Sequence, residues 1–129
     1  MNVGDGTNGE NEATSELAKA YLELKRQYDD LVSRSLAGMF RTTVEGRFLE
    51  CNDAMAQILG YGGRDALMRG QALNLYYSKE ERDRFLETLN REKRLINFEI
   101  VLKHRNGRAV HVLENVFLDE PEGRAPTIQ

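Results

Sequence analysis

The most regular alternation of apolar and polar residues lies near the N-terminus. Apolar side chains recur there at spacings of four and three, at Leu17, Tyr21, Leu24, Tyr28 and Leu31. This spacing is that of a coiled-coil seam. No glycine or proline interrupts residues 12–36, so the pattern predicts one amphipathic helix over that range. The helix packs either on its own domain or against its copy in a second chain.

Residues 1–11 are rich in glycine, asparagine and acidic side chains, and they have no periodic apolar face. We therefore expect a flexible N-terminus. Two short β-like runs, Met39–Thr43 and Arg47–Cys51, follow the helix and flank a Glu-Gly turn signal, which predicts a hairpin. Asn52 or Asp53 is suited to cap the next helix.

Helical segments occupy the middle of the chain. A second short helix is expected over Arg64–Arg69, and a single helical turn over Ala72–Tyr77. Ser78 with Glu81 forms the spacing of a capping box. This box predicts a longer surface helix that runs to about Glu92.

A long β-hairpin is predicted over residues 95–118. The Asn106-Gly107 pair indicates a two-residue turn, because both of its central residues favour positive φ. Such a turn places Leu102 opposite His111 and Ile100 opposite Leu113. The predicted core face then carries Ile96, Phe98, Ile100, Leu102, His111, Leu113, Asn115 and Phe117.

The other predicted face of this hairpin is mixed. It carries Asn97, Glu99, Val101, Lys103, Val110, Val112, Glu114 and Val116. The valines suggest that something covers this face, and the N-terminal helix is the obvious candidate. Glu99 and Glu114 would lie opposite each other, which is unfavourable unless a basic group bridges them or a bulge shifts the register.

An extended segment begins at Ala125, close to the last residue, Gln129. A strand in this position suggests a truncated last strand and a fragment of a longer protein. The domain organisation predicted is therefore a flexible segment 1–11, a dimerisation helix 12–36 and a domain 37–129.

Taken in order, these stretches resemble the PAS domain family. The residues that carry the resemblance are Gly38–Thr42, Glu45–Leu49, Cys51–Tyr61, Tyr76–Arg82 and Asn97–Gly107. The resemblance implies an α+β PAS fold, with a five-stranded antiparallel sheet, helices on one face and a cavity between them. It also implies a sensory and dimerising module of a larger signalling protein. The chain departs from the family pattern at His111, where many relatives carry tryptophan.

Composition narrows the class of protein. The 129 residues suit one domain, 40% are hydrophobic and the formal net charge is -3, which argues against a nucleic-acid binder. No apolar run is long enough to span a membrane. The single cysteine, Cys51, cannot form an internal disulfide, which fits a cytoplasmic location, and we expect it to be a small buried apolar residue.

Candidate chemistry is sparse. His104 and His111 are the only imidazoles, and no nucleophile–base motif or phosphate-binding loop accompanies them, so catalysis is not expected. Haem-binding relatives use a histidine on the long helix, and residues 79–92 contain none. Cys51 does not lie in the Asn-Cys-Arg motif of covalent flavin photosensors. Haem and covalent flavin are thus not supported, and the cofactor stays unknown.

The predicted core residues have two interpretations. They line a cavity for a small molecule, or they pack against one another and fill the core. The candidate lining residues are Met55, Ile58, Leu59, Leu75, Tyr76, Phe85, Leu89, Phe98, Ile100, His111, Leu113 and Asn115. His111 and Asn115 would need buried hydrogen-bond partners, which a ligand, a water or the protein itself supplies. The dimer-interface candidates are Leu17, Tyr21, Leu24, Tyr28, Leu31, Val101, Val112 and Val116.

The functional hypothesis is a cytoplasmic signal-relay domain of a bacterial protein, most typically a two-component sensor histidine kinase. It would form a homodimer, act on an output domain outside this chain and contact neither nucleic acid nor membrane. One alternative is a ligand-free interaction module. The other is a small enzyme with the cone-shaped fold of nuclear transport factor and ketosteroid isomerase. That enzyme needs an acidic base in its cavity, whereas Glu99 and Glu114 are predicted on the outer face.

Overall fold

A computed structural model describes residues 4–129, with side chains from residue 9 onward. The chain divides into an N-terminal unit that ends at Arg34 and a folded unit, Ser35–Gln129. Helix α1 spans Gly4–Arg34. It begins well before residue 12, the first residue of the predicted helix, because no proline stops its propagation. The prediction of a flexible segment is therefore wrong for residues 4–11. Residues 1–3 of that segment lie outside the described part of the chain.

The folded unit alternates short strands and helices. Its strands are β1 (Phe40–Thr43), β2 (Phe48–Cys51), β3 (Arg94–Lys103), β4 (Ala109–Asp119) and β5 (Thr127–Ile128). Its helices are α2 (Asp53–Ile58), α3 (Arg64–Met68) and α4 (Lys79–Glu92), with a 3₁₀ turn at Ala72–Leu75. These elements follow the predicted order.

The strands form one antiparallel sheet in the order β2-β1-β5-β4-β3. The last strand therefore lies at the centre, where Ile128 pairs with Thr42 on one side and with Leu118 on the other. Short β5 joins the two hairpins into a single surface. The predicted five-stranded α+β fold is confirmed.

Local signals determine where the helices begin. The Asn52 side chain accepts a hydrogen bond from the Met55 N–H at 3.0 Å, and the Ser78 hydroxyl accepts one from the Glu81 N–H at 3.1 Å. Both are N-caps of the kind that the sequence predicts. Gly60 ends α2 with φ of 80°, and the His104 ring occupies the space where a side chain would otherwise lie.

The turn between β3 and β4 is longer than predicted. His104 pairs with Arg108 through its N–H at 2.9 Å, which leaves a loop of Arg105, Asn106 and Gly107. Of these loop residues, Gly107 alone takes positive φ, at 92°. This geometry is typical of a three-residue hairpin loop closed by a glycine in the left-handed region. The predicted two-residue turn is wrong.

One additional residue in the loop exchanges the two faces of β4, because side chains alternate between the faces of a strand. Leu102 pairs with Val110 rather than His111, and Ile100 pairs with Val112 rather than Leu113. An irregularity between Leu95 and Phe98, where Asn97 has φ of 53°, shifts the register again. Glu99 pairs with Leu113, so the longer loop, and not this irregularity, separates the two glutamates that the predicted register places opposite each other.

The core of the folded unit lies between the sheet and the helices. Its buried members are Phe48, Cys51, Met55, Ala56, Leu59, Leu67, Leu75, Phe85, Leu89, Leu95, Ile100, Leu102, Val116 and Ile128. Phe85 and Leu89 on α4 belong to this set and Ile100 on β3 faces them. Only Ser35–Gln129 contributes to the cluster, so this unit has a hydrophobic core of its own.

Candidate ligand cavity

A small cavity lies within the folded unit. Its lining residues are Phe40, Thr42, Phe48, Met55, Ala72, Leu75, Tyr76, Leu102 and Glu114. Its volume is about 30 Å³, which is room for about two water molecules. Apolar side chains dominate the wall, and Thr42, Tyr76 and Glu114 supply the polar groups.

Some of the predicted lining residues do meet there. Met55, Leu75 and Tyr76 line the cavity. Four others, Leu59, Phe85, Leu89 and Ile100, are buried in the core without lining it. Phe98 is half-buried against the Phe85 ring, at a centroid distance of 6.0 Å, whereas Ile58 is exposed.

The reversed face of β4 displaces the remaining candidates. His111, Leu113 and Asn115 lie exposed on the side of the sheet opposite the cavity. His111 and Leu113 line a surface groove together with Glu81 and Arg84 of α4. Asn115 accepts a hydrogen bond from the Asn97 N–H at 2.9 Å, so its partner is the protein backbone.

The same reversal moves two interface candidates inward. Val116 is fully buried in the core, and Val112 is half-buried against it. Neither belongs to the outer face on which the sequence placed them. Val101 does remain on that face, because β3 has the predicted orientation from Phe98 onward. Before the irregularity the prediction is wrong, since Ile96 is 55% exposed and Leu95 is buried.

Glu114 is the functional candidate that sequence reasoning missed. Its Oε1 atom is buried without a hydrogen-bond partner among the described residues. Burial raises the pKa of Glu114 to about 7, because removal from water disfavours the charged form. The sequence contains one indication that this side chain is misplaced, because the predicted register places the Glu114 carboxyl opposite that of Glu99.

Tyr76 faces the same space. Burial raises the pKa of the Tyr76 hydroxyl strongly, and the charge of Glu114 raises it further. The phenol therefore remains neutral and can both donate and accept hydrogen bonds. The cavity thus combines one acid with one neutral hydroxyl group.

Cys51 is a structural side chain. It is fully buried, and its thiol lies 3.7 Å from the Arg64 carbonyl, to which it donates. Burial raises the pKa of the thiol to about 11. The thiolate is the nucleophilic form, so Cys51 is an unreactive core residue, as the sequence predicts.

The cavity can hold and orient a small polar group, but one carboxyl and one phenol do not form a nucleophile–base pair. Across residues 4–129 no cluster of histidine, cysteine or acidic side chains is suited to bind a metal ion. Nor does any helix in the described range have the length and apolar character to cross a membrane.

The sheet order and the position of the cavity agree with one known family. A family model of the PAS domain matches residues 36–124. This chain belongs to the PAS domain family. PAS domains are sensory rather than catalytic modules, so the cone-fold enzyme alternative is wrong even though Glu114 lies in the cavity. None of the curated proteins compared matches the chain.

Solved structures show the same fold at low sequence identity. A PAS domain from a two-component sensor histidine kinase aligns with a TM-score of 0.64 and 19% identity, covering 84% of this chain and 95% of that one. A domain of a sensor histidine kinase/response regulator from Geobacter sulfurreducens aligns with a TM-score of 0.59 and 22% identity, covering 81% and 91%.

A PAS domain from a LuxR-family transcriptional regulator of Burkholderia thailandensis was solved in complex with ethanol. It aligns with a TM-score of 0.64 and 17% identity, covering 78% of this chain and 92% of that one. These likenesses extend the PAS assignment from sequence to three-dimensional arrangement.

Proposed function

We propose that this PAS domain relays a signal as a homodimer, in which α1 pairs with its copy and a small ligand in the cavity biases that pairing. The parent protein would be a bacterial sensor histidine kinase, with this domain in the cytoplasm and a separate output domain. Support for this class comes from the fold, which two kinase-derived PAS domains share.

The exposed apolar stripe of α1 is the observation that carries the proposal. Leu17, Leu24 and Leu31 are 73%, 67% and 73% exposed, and Tyr21 and Tyr28 are also exposed. With leucine at every d position and tyrosine at the a positions, the stripe has the pattern of a two-stranded seam. Side chains of this size gain about 1.5–3 kcal/mol each on full burial.

Two ion pairs of α1 lie away from that stripe. Arg26 contacts Glu23 at 2.6 Å and Asp30 at 3.1 Å, on the side of the helix away from the seam. Water and salt screen such exposed pairs, so they contribute little to the stability of the helix. Most helical stability in proteins comes from packing of an apolar face, which a second α1 would provide here.

Two leucines of α1 offer a matched test. Leu24 lies in the seam and Leu22 outside it, and they are 67% and 62% exposed. A charge at Leu24 would face the same charge on the partner helix. We expect the wild type to form a dimer of 14.7 kDa chains, and Leu24→Lys to weaken dimerisation about tenfold or more. Leu22→Lys should leave it nearly unchanged.

Light scattering after size exclusion, over a dilution series, measures both variants. A monomeric wild type, or equal weakening by the two substitutions, would contradict pairing through this seam. A ligand that biases the dimer needs a differential affinity of only about 1–3 kcal/mol between two arrangements.

The small size of the cavity favours a second candidate function, an interaction module that needs no ligand. At about 30 Å³, the cavity lies far below the roughly 300–1,000 Å³ of drug-sized ligand sites. Ligands of two or three non-hydrogen atoms remain compatible in scale, and the PAS domain that holds ethanol supports this class. Binding measurements on such small compounds distinguish the two functions.

A further inference from the structure

Glu114 is held in the cavity wall by its position on β4. It pairs with Phe98 across the hairpin and lies on the core face with Val112 and Val116. This alternation directs the carboxyl inward, away from Glu99 on the outer face. A carboxylate in such a place is strongly disfavoured unless a hydrogen-bond donor or a cation reaches it.

Within the described range no basic side chain lines the cavity, although Arg82 lies near enough to Tyr76 for its charge to lower the pKa of the phenol. Among the described residues that line the cavity, Glu114 is acidic and none is basic. Tyr76, from the segment after the 3₁₀ turn, and Thr42, from β1, are neutral hydroxyl groups. The rest of the wall is apolar, so the unpartnered Oε1 atom is the strongest hydrogen-bond acceptor in the cavity.

These features specify the chemistry of an occupant. It needs a donor head for the carboxylate, preferably with positive charge, and an apolar remainder for the phenylalanine, methionine and leucine side chains. Its size is limited by a volume of about 30 Å³. Short alkylammonium ions combine these properties, because their three N–H groups can satisfy Glu114 and the neighbouring hydroxyl groups together.

We propose that the cavity binds a small protonated primary amine, whose ammonium group donates to the Glu114 carboxylate while its alkyl chain contacts the apolar wall. This inference rests on the proposed ligand-responsive function and names its ligand class. The ceiling on affinity per atom places the dissociation constant for so small a compound in the millimolar range, at about 1 mM or weaker.

The test is an amide NMR titration of the full chain with methylammonium and ethylammonium chloride. Methanol and ethanol are the neutral counterparts of similar size, and sodium chloride controls for ionic strength. Glu114→Gln removes the anchoring charge, and Glu99→Gln is the matched control on the same hairpin. We expect saturable shifts around the cavity with the amines in the wild type and in Glu99→Gln, and about tenfold weaker binding or more in Glu114→Gln.

The pH dependence of amine binding is a second readout, and a ligand that only fills the cavity without binding the carboxylate would not show it. Alkylamines, like the lysine side chain, stay protonated to about pH 10. With the pKa of Glu114 at about 7, lowering the pH from about 8 to about 5.5 protonates the carboxyl. Amine affinity should then fall about tenfold or more, whereas binding of an alcohol should not.

Two results would overturn the assignment. Alcohols that bind as tightly as amines, with equal affinity in Glu114→Gln, would leave a ligand cavity but remove the ammonium class. The absence of saturable shifts with every compound would reject the amine site and favour the ligand-free module. Neither result alters the dimerisation measurement on α1, so failure of the two proposals can be told apart.

Discussion

Two polar side chains lie inside the folded unit, and their surroundings differ sharply. Asn52, 1% exposed, accepts hydrogen bonds from the Met39 N–H at 2.9 Å and the Met55 N–H at 3.0 Å, and donates to the Ala37 carbonyl at 2.9 Å. Glu114 has a buried oxygen without a partner among the described residues.

This difference separates Asn52, which stabilises the fold, from Glu114, which belongs to the candidate site. Asn52 joins the segment before β1 to the start of α2, because its amide binds the backbone groups of Ala37, Met39 and Met55. A fully satisfied buried amide specifies one arrangement of the chain. The Glu114 Oε1 atom binds no other segment of the described chain, so it is available to accept a hydrogen bond from an occupant of the cavity.

The largest expected effect is that of Asn52→Ala. It removes the side-chain hydrogen bonds to Ala37, Met39 and Met55, the last of which is the N-cap of α2, and leaves those backbone groups unsatisfied. We therefore expect a loss of about 3 kcal/mol in the free energy of unfolding. Denaturant unfolding measures it. The control is Asn115→Ala, an exposed asparagine with one such bond, which should lose less than about 1 kcal/mol. Equal losses would contradict the distinction.

The opposite sign is expected for Glu114→Gln above neutral pH. The folded-state pKa of Glu114 is raised from 4.5 to about 7, so the folded state binds the proton more tightly than the unfolded one. Wild-type stability should therefore fall as pH rises from about 4.5 to about 7, by about 3 kcal/mol in total. Glutamine cannot ionise and should remove this part of the pH dependence.

At about pH 8, Glu114→Gln should be more stable than the wild type by about 2 kcal/mol, since the buried amide retains part of the desolvation cost. At about pH 4 the two proteins should be nearly equal. Denaturant midpoints at both pH values, with Glu99→Gln as control, measure this. A variant that is less stable at both pH values would show that Glu114 has a structural partner like that of Asn52.

The same contrast explains how much the sequence could predict. The N-caps at Asn52 and Ser78 depend on residues within one helical turn, so the local sequence is sufficient to predict them. The apolar members of the core, such as Leu75 and Phe85, follow from periodicity. Element order and the PAS fold were therefore predictable, and the structure confirms them.

The candidate site was less predictable because it depends on a register. Asn106-Gly107 is compatible with a two-residue turn and with the observed three-residue loop, in which Asn106 accepts a hydrogen bond from the Arg108 N–H at 3.0 Å. The one-residue difference in loop length decides which face of β4 is buried. The two-residue turn therefore predicts His111 and Asn115 in the cavity and places Glu114 outside it.

The most direct test of the account is a carboxyl carbon-13 NMR titration of Glu114, assigned by comparison with Glu114→Gln. We expect a pKa of about 7 for this carboxyl without ligand, and a marked fall in that pKa when ethylammonium is added, since the cation stabilises the ionised form. A pKa near 4.5, unchanged by the amine, would mean that Glu114 reaches water or a protein donor, and it would contradict both the unpartnered carboxyl and the amine site.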